Sequence, residues 1–417
     1  VSAARGTAQH VLLVGTNKPG LVPLLRHDAV RRVTVLTEPW YADRFRAEGA
    51  DAVLVVPDVA DLTAALHAVV PAMADAPVTR VVAPSERGVP TGAWLRSYLD
   101  LPGTPYDVAV GFTAKHAMKR RLVTAGVPVA PHRVVRTRAE TRDAVRVLGR
   151  PAILKPALGT GATGSVVVRA TDDVDALAAP LWESGRAHPA VLVERYLDVE
   201  REYHLDGVVV DGLTRALSVC AYLRPTLLRQ HDEFVGSAPL PADDPRRGEL
   251  AGLHDAAVRA LGLRTGVTHL EVLEHDGGDV VGEVACRPGG GAIVPFLAHV
   301  HGVDLWRVFL DLETTGATDR LGPLDPDGPV AWYGLPVTAG VVRSTTPVEA
   351  LRAVPGVTHA QVDLAPGDRV EDRFHSSSQA GWVAMAGATN EALHATMAAV
   401  RATWRLDTAP TEEVAAL

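Results

Sequence analysis

Residues 152–169 read AILKPALGTGATGSVVVR, and the fold turns on the residues directly after the glycines. Gly159, Gly161 and Gly164 stand in GxGxxG spacing. That spacing suits a dinucleotide turn only if a helix begins at once, because the pyrophosphate rests on the helix N-terminus. Here the glycines lead into Val166, Val167 and Val168, a β-branched run with strand character. The stretch therefore predicts a β-hairpin whose glycine-rich tip folds over a triphosphate, its backbone amides free to approach the oxygens. Lys155 sits at the base of that flap between apolar neighbours, where an ammonium can neutralise phosphate charge. A surface lysine that snorkels out of an apolar strand is the plainer reading, and the flap directly after it speaks against this.

Toward the N-terminus the pattern changes. Apolar runs at 10–15 (HVLLVG), 32–36 (RVTVL), 52–56 (AVLVV) and 80–83 (RVVA) alternate with helix-length intervals up to about residue 112, the rhythm of a doubly wound parallel sheet. The loop GTNKPG at 15–20 has neither GxGxxG spacing nor a GK[ST] ending, so it reads as a tight strand-to-helix turn. A basic helix over 113–125 carries Lys115, His116, Lys119, Arg120 and Arg121 and stops at Gly126. Lys115 is a second phosphate candidate, although a solvated cationic face explains it nearly as well.

Toward the C-terminus the sequence is rich in strands. Glu194 stands in VERYL (193–197), where an extended chain end offers backbone groups to an adenine edge, and Glu202 follows as a candidate acceptor for ribose hydroxyls. Exposed acids are common enough to account for both. Glu271 in HLEVL and Glu283 in VGEVA lie mid-strand on either side of the turn Asp276-Gly277-Gly278. Unpaired carboxylates in such strands carry a large desolvation cost, so a cation belongs between them, and Mg2+ with phosphate oxygens matches two such ligands. Arg287, in CRPGGG, is placed to stabilise developing negative charge; an internal Glu–Arg salt bridge is the alternative. The stretch 222–234 (YLRPTLLRQHDEF) is a candidate wall for the acceptor substrate, with Arg224, Arg229, His231 and Asp232 on it. A Pro- and Gly-rich passage at 316–329 precedes a closing subdomain.

This order of features resembles the ATP-grasp superfamily over nearly the whole chain. AKHAMKRRLVTAGVPVAP resembles the start of the ATP-grasp region, ILKPALGTGATGS its second lysine and flap, and VERYL its adenine hinge. The resemblance implies that Lys115 is a phosphate or adenine lysine, that Lys155, Gly159, Gly161, Thr163 and Gly164 hold ATP phosphates, that Glu194, Arg195 and Leu197 contact adenine, and that Glu202 takes the ribose. It further implies that Glu271 and Glu283 bind one or two Mg2+ or Mn2+ ions, and that Arg287 and Lys155 act on the reacting groups. THLEV and GEVACRPGGG with a C-terminal lid resemble L-amino acid ligases and related carboxylate–amine ligases. Members usually carry an asparagine two residues after the second glutamate, and here that position is Ala285. The implied fold is a Rossmann-like N-terminal domain (1–112), an ATP-grasp small subdomain with the flap (113–195), a large subdomain with the metal site (196–325) and a C-terminal subdomain (326–417).

The implied activity is ADP-forming amide or peptide bond formation through an acyl phosphate. The substrates expected are a small-molecule carboxylate, an amino acid by resemblance, and an amine, free or carried on a protein. A non-catalytic ATP-binding regulator of the same fold is the competing reading, for which Ala285 is the support. An NAD-linked dehydrogenase would rest only on the glycine spacing and the N-terminal sheet. Composition narrows the partners. With 41 Lys and Arg against 49 Asp and Glu, the net charge of -8 offers no general basic field for nucleic acid. No run approaches a membrane span, and Cys220 and Cys286 stand in no disulfide or metal spacing. A cytoplasmic enzyme is expected, with a homodimer left open.

Overall fold

The computed structural model describes residues 9–18, 20–26, 30–74, 76–159, 164–183, 190–226, 233–324, 328–371 and 378–410. The first sheet consists of β1 (Gln9–Val14), β2 (Val30–Thr37), β3 (Ala52–Val55) and β4 (Arg80–Val82). All are parallel, in the order β3-β2-β1-β4. Val11 to Val14 are fully buried on both faces, as expected of a central parallel strand covered by helices. The chain leaves β1 for β2 on one side, adds β3, and then returns to place β4 on the other side of β1. The C-terminal ends of β1 and β4 therefore diverge at a topological switch point, where open α/β sheets form a crevice.

A second sheet holds β5 (His132–Val135), β6 (Ala152–Pro156), β7 (Val166–Val168) and β8 (Val191–Arg195), in the order β5-β8-β6-β7. The hairpin expected from the glycine-rich stretch is present: Ala152, Ile153 and Leu154 pair antiparallel with Val168, Val167 and Val166. Gly161 and Thr163 at its tip lie outside the described residues. The basic helix is Lys115–Thr124, and Met118 and Leu122 on its inner face pack against Phe112, Tyr203 and Leu205.

The large sheet has eight strands: β9 (Val199–Val210), β10 (Leu213–Tyr222), β11 (Val235–Pro239), β12 (Gly266–His275), β13 (Gly278–Ala285), β14 (Val330–Gly334), β16 (Val357–Val362) and β18 (Gly381–Ala386). Their order is β13-β12-β9-β10-β11-β14-β18-β16. The sheet continues past position 325, so the segment from 326 onward supplies three of its strands. What that segment keeps to itself is a small sheet of β15 (Gly340–Thr345), β17 (Arg369–Val370) and β19 (Leu406–Ala409). The helix Leu305–Thr315, capped by Asp304, locks the first domain to the large sheet. Arg96 forms a buried ion pair with Glu313, and Gln9 and Arg80 both donate to the carbonyl of Thr314. Among the described residues no single helix is long and apolar enough to cross a membrane.

Candidate active site

Strand β8 ends in a pinned hinge: the Arg195 amide donates to Pro131 and the Tyr196 amide to Pro151. Its last buried side chain, Glu194, turns inward and receives Lys155 Nζ at 2.6 Å and Lys119 Nζ at 3.0 Å. Burial alone would push this carboxyl up, but the two ammonium groups reverse that and hold it well below the usual carboxylate range. Burial pulls the Lys155 ammonium down, yet Glu194, with Glu283 and Glu271 behind it, holds it above its ordinary value. The Glu194 carboxylate is thus an anchor for two lysines, and its side chain is committed to them. Beyond it the hinge lines the cavity with Arg195, Tyr196, Leu197 and Asp198. Lys119 is invisible as a site residue in the sequence because nothing local separates it from the exposed basic residues beside it; its burial comes from packing under β13, where it donates to the Val281 carbonyl at 3.1 Å.

Antiparallel pairing of β12 with β13 sets Glu271 opposite Glu283, so the two carboxylates emerge on one face. Lys115 reaches them from its helix, with Nζ 2.6 Å from Glu283 Oε1 and 3.1 Å from the Gly159 carbonyl. Burial pushes Glu271 up, but His269, whose Nε2 lies 3.6 Å from Glu271 Oε1, draws it below its ordinary value. Glu202 stands on the adjoining strand β9 and accepts from Thr226 N at 2.6 Å and Thr226 Oγ1 at 2.9 Å. Burial and then the charge of Glu271 push it up to about 8. Hard oxygen donors on paired strands, close to lysines that can take phosphate, form a donor set that fits a divalent metal with a nucleotide. Ala285 lines the same cavity and adds no ligand.

On the same face, beside Glu271, lies a buried polar chain. Asp206 accepts from His204 Nδ1 at 2.7 Å and from His269 Nδ1 at 2.9 Å, His204 Nε2 meets Ser237 Oγ at 2.7 Å, and Trp332 Nε1 donates to the same hydroxyl at 2.7 Å. The chain ties β9, β12, β11 and β14 together next to Glu271. Gly289 closes over it: a Cβ there would meet Asp206 Oδ1 at 2.8 Å and His269 Nδ1 at 2.9 Å.

The first domain supplies the far wall. The loop after β1 brings Thr16, Asn17 and Lys18, and the loop after β4 brings Ser85, Glu86 and Arg87. Arg287 does not pair with Glu271 or Glu283, as the salt-bridge alternative required. Its Nε and a terminal nitrogen both lie 2.8 Å from Glu86 Oε2.

One cavity of about 380 Å³ is lined by Lys115, Lys155, Gly159, Glu194, Arg195, Leu197, Glu202, Glu271, Glu283 and Arg287 together. Of the described residues singled out from sequence, Gly164 stands off the wall, in the left-handed region with φ of +77°. The loop 15–18, read from sequence as a plain turn, is part of the wall instead. Tyr222, Pro225 and Thr226 of the suggested acceptor wall line it too, whereas Arg224 is taken up by Glu233; Arg229, His231 and Asp232 lie outside the described residues.

Comparison with known proteins agrees with this geometry. Residues 114–278 match the carbamoyl-phosphate synthase L chain ATP-binding domain, and residues 333–409 match the L-amino acid ligase C-terminal domain 2. An L-arginine-specific L-amino acid ligase from Bacillus subtilis is 29% identical over 376 residues, covering 88% of this chain and 90% of that protein. A formate-dependent phosphoribosylglycinamide formyltransferase from Nitratidesulfovibrio vulgaris is 26% identical over 70% of this chain and 72% of its own length. The crystal structure of an L-amino acid ligase from Bacillus licheniformis superposes with a TM-score of 0.77 at 17% identity, covering 97% of this chain and all of that one. An N5-carboxyaminoimidazole ribonucleotide synthetase from Thermotoga maritima gives 0.68 at 15% identity, over 96% of this chain and all of its own. A parallel-sheet domain, a flap hairpin and paired acidic strands around one cavity define an ATP-grasp enzyme. Within that superfamily the chain is an ADP-forming carboxylate–amine ligase, similar to the L-amino acid ligases.

Proposed function

We propose that this ligase activates the carboxylate of an amino acid and joins it to the free amine of a second small molecule, with Mg2+ as its metal. The observation that carries the reading is the convergence of Glu271, Glu283, Lys115, Lys155 and Arg287 on one cavity, together with likeness to a ligase of amino acids over most of both chains. ATP with its metal would supply the phosphoryl group that makes the carboxylate an acyl phosphate, from which the amine displaces phosphate. Glu271 and Glu283 hold the metal, and Lys115 and Lys155 take phosphate oxygens. Both lysines already sit on carboxylates, so each is oriented before the nucleotide arrives. Gly159, Gly161, Thr163 and Gly164 belong to the flap that shuts water away from the activated acid. Adenine rests on the hinge formed by the backbone at Glu194 with Arg195 and Leu197, and Glu202 receives the ribose. Arg287, steadied by Glu86, faces the acyl phosphate.

Both cysteines are free thiols, which suits a reducing cytoplasm. The reading divides the chain near residues 112 and 195, where one sheet gives way to the next, and requires neither a carrier protein nor a second subunit. The test is product analysis with pairs of amino acids and amines. ADP and phosphate released only when both are present is the expected result; AMP and pyrophosphate would overturn the scheme.

A further inference from the structure

Strand register places a histidine beside the two acids of the proposed metal site. Pairing of β12 with β13 sets Glu271 opposite Glu283 and, two residues along each strand, His269 opposite Ala285. Directly opposed residues share a face. Ala285 brings no donor to its place in that lattice, and the donor across from it is the His269 ring. His269 lines the cavity, and its Nε2 lies 3.6 Å from Glu271 Oε1. That separation is too long for a hydrogen bond. It stands within a few tenths of an ångström of the roughly 3.0–3.4 Å between two donors that share one ion at about 2.1 Å.

The neighbouring strand settles which ring nitrogen is on offer. Asp206 on β9 is fully buried and takes His204 Nδ1 on one oxygen and His269 Nδ1 on the other. Burial would push this carboxyl up, but His269 and then His204 hold it well below the usual carboxylate range. A carboxylate only accepts, so Nδ1 of each ring donates, and His269 keeps Nε2 for the cavity. His204 is braced in turn by Ser237 Oγ, which also accepts from Trp332 Nε1. An imidazole whose far N–H is held by a carboxylate in this way has the orientation of a metal ligand. His204, Asp206 and His269 also stand close enough together to hold an ion among themselves. Their Nδ1 atoms and both Asp206 oxygens are spent on one another, however, whereas His269 Nε2 points to Glu271.

We propose that His269 Nε2 is a third protein ligand of the metal, beside Glu271 and Glu283. Burial pulls the free ring's imidazolium down, but Asp206 and then Glu271 raise it to about 10. The ion therefore takes the place of a proton on Nε2, and that proton passes to solvent. Two carboxylates and phosphate oxygens still let Mg2+ serve. The nitrogen donor adds affinity for first-row transition ions such as Co2+, which take imidazole more readily than Mg2+ does.

The inference rests on the metal site of the ligase reading, and ion binding separates the two. Mn2+ is titrated into the full chain with ADP present and followed by electron paramagnetic resonance. Spin-echo spectra of the bound ion are then compared between unlabelled protein and protein carrying 15N in histidine alone. The unaltered chain should show a nitrogen coupling that follows the histidine label, and His269→Gln should lack it. The ratio of Co2+ to Mg2+ affinity, from calorimetry with ADP, should fall by about 10-fold or more in His269→Gln. The labelled chain needs no substitution, so its coupling decides the matter even where His269→Gln fails to fold. Mn2+ that depends on Glu283 but shows no histidine coupling, a coupling that survives His269→Gln, or an unchanged ion ratio would each overturn the role of His269 and leave the metal site standing. Mn2+ that fails to bind with ADP, or binds equally well to Glu283→Gln, would overturn both.

Discussion

The two ends of the cavity are built by different means. At the hinge end, charges are matched within the protein: Glu194 bridges Lys119 and Lys155, and Lys115 meets Glu283. These groups come from a helix and from strands of two antiparallel sheets. At the other end two loops of a parallel sheet meet, and among the described residues they leave Lys18 without an acid and one Glu86 oxygen without a donor. An internally balanced end is preset for a ligand whose chemistry never changes. An unbalanced end is completed by its ligand, and so it is where the choice of ligand can be made.

The sharpest way to break this comparison is to remove a carboxylate from the hinge side. Glu283→Gln deletes one proposed metal ligand and the partner of Lys115 while keeping the side chain's shape. We expect kcat to fall by about 10³-fold or more, since metal placement stabilises charge that develops in the reaction. Nucleotide affinity, followed by calorimetry, should fall far less. A loss confined to nucleotide affinity would show that Glu283 is only a binding residue.

Glu194→Ala probes the same side through stability. It strands two buried ammonium groups, Lys119 and Lys155, and breaking a buried charge network of this kind costs about 3–5 kcal/mol. The melting temperature should drop by several degrees, and the double variant with Lys119→Met should recover part of the loss. A variant as stable as the parent would mean that the lysines relax into water.

These two regions also differ in how far the sequence discloses them. The flap hairpin, the hinge and the two acidic strands are legible because each announces itself within about ten residues: valines directly after glycines, an acid at a strand end, an acid amid alternating apolar positions. Glu194 is legible as a position but not as a side chain, since one of the two lysines that claim it comes from a helix far earlier in the chain. Lys18, Glu86 and the His204–Asp206–His269 chain are not legible. Lys18 and Glu86 lie on separate loops joined in space only by the order β3-β2-β1-β4, and no local pattern encodes the side of β1 on which β4 will pair. Asp206 and His269 read as ordinary strand residues until β9 and β12 are laid side by side.

On the unbalanced side, pH should act with a definite sign. Burial first, and then Arg287, lowers the Lys18 ammonium to about 8. The group is charged below that value and neutral above it, so its pull on an anionic ligand is present at pH 7 and lost as the pH rises through 8. In the unaltered enzyme kcat/KM for the substrate that fills this end should therefore decline above pH 8, by up to about tenfold per unit. Lys18→Arg, whose guanidinium keeps its proton, should lack that limb. The ratio of the two enzymes at each pH cancels deprotonation of the substrate's own amine, and a ratio independent of pH would refute the dependence on Lys18.

The smallest effect should come from Gly289, which touches neither end directly. Its missing side chain lets the loop after β13 close over Asp206 and His269, and an added Cβ would stand 2.8 Å and 2.9 Å from their polar atoms. Both neighbours are fixed: Asp206 is held by two imidazoles, and His269 by Asp206 and its strand. Overpacking a rigid site costs about 1–3 kcal/mol, so Gly289→Ala should lower stability by that amount. Because His269 faces Glu271, the strain should also weaken metal placement, and the concentration of divalent ion giving half-maximal ADP release should rise a few-fold with KM for the amine-bearing substrate unchanged. If the amine KM rose instead, the polar chain beside Glu271 would belong to the unbalanced end of the cavity, and the division between a preset and a ligand-completed end would have to be redrawn at β12.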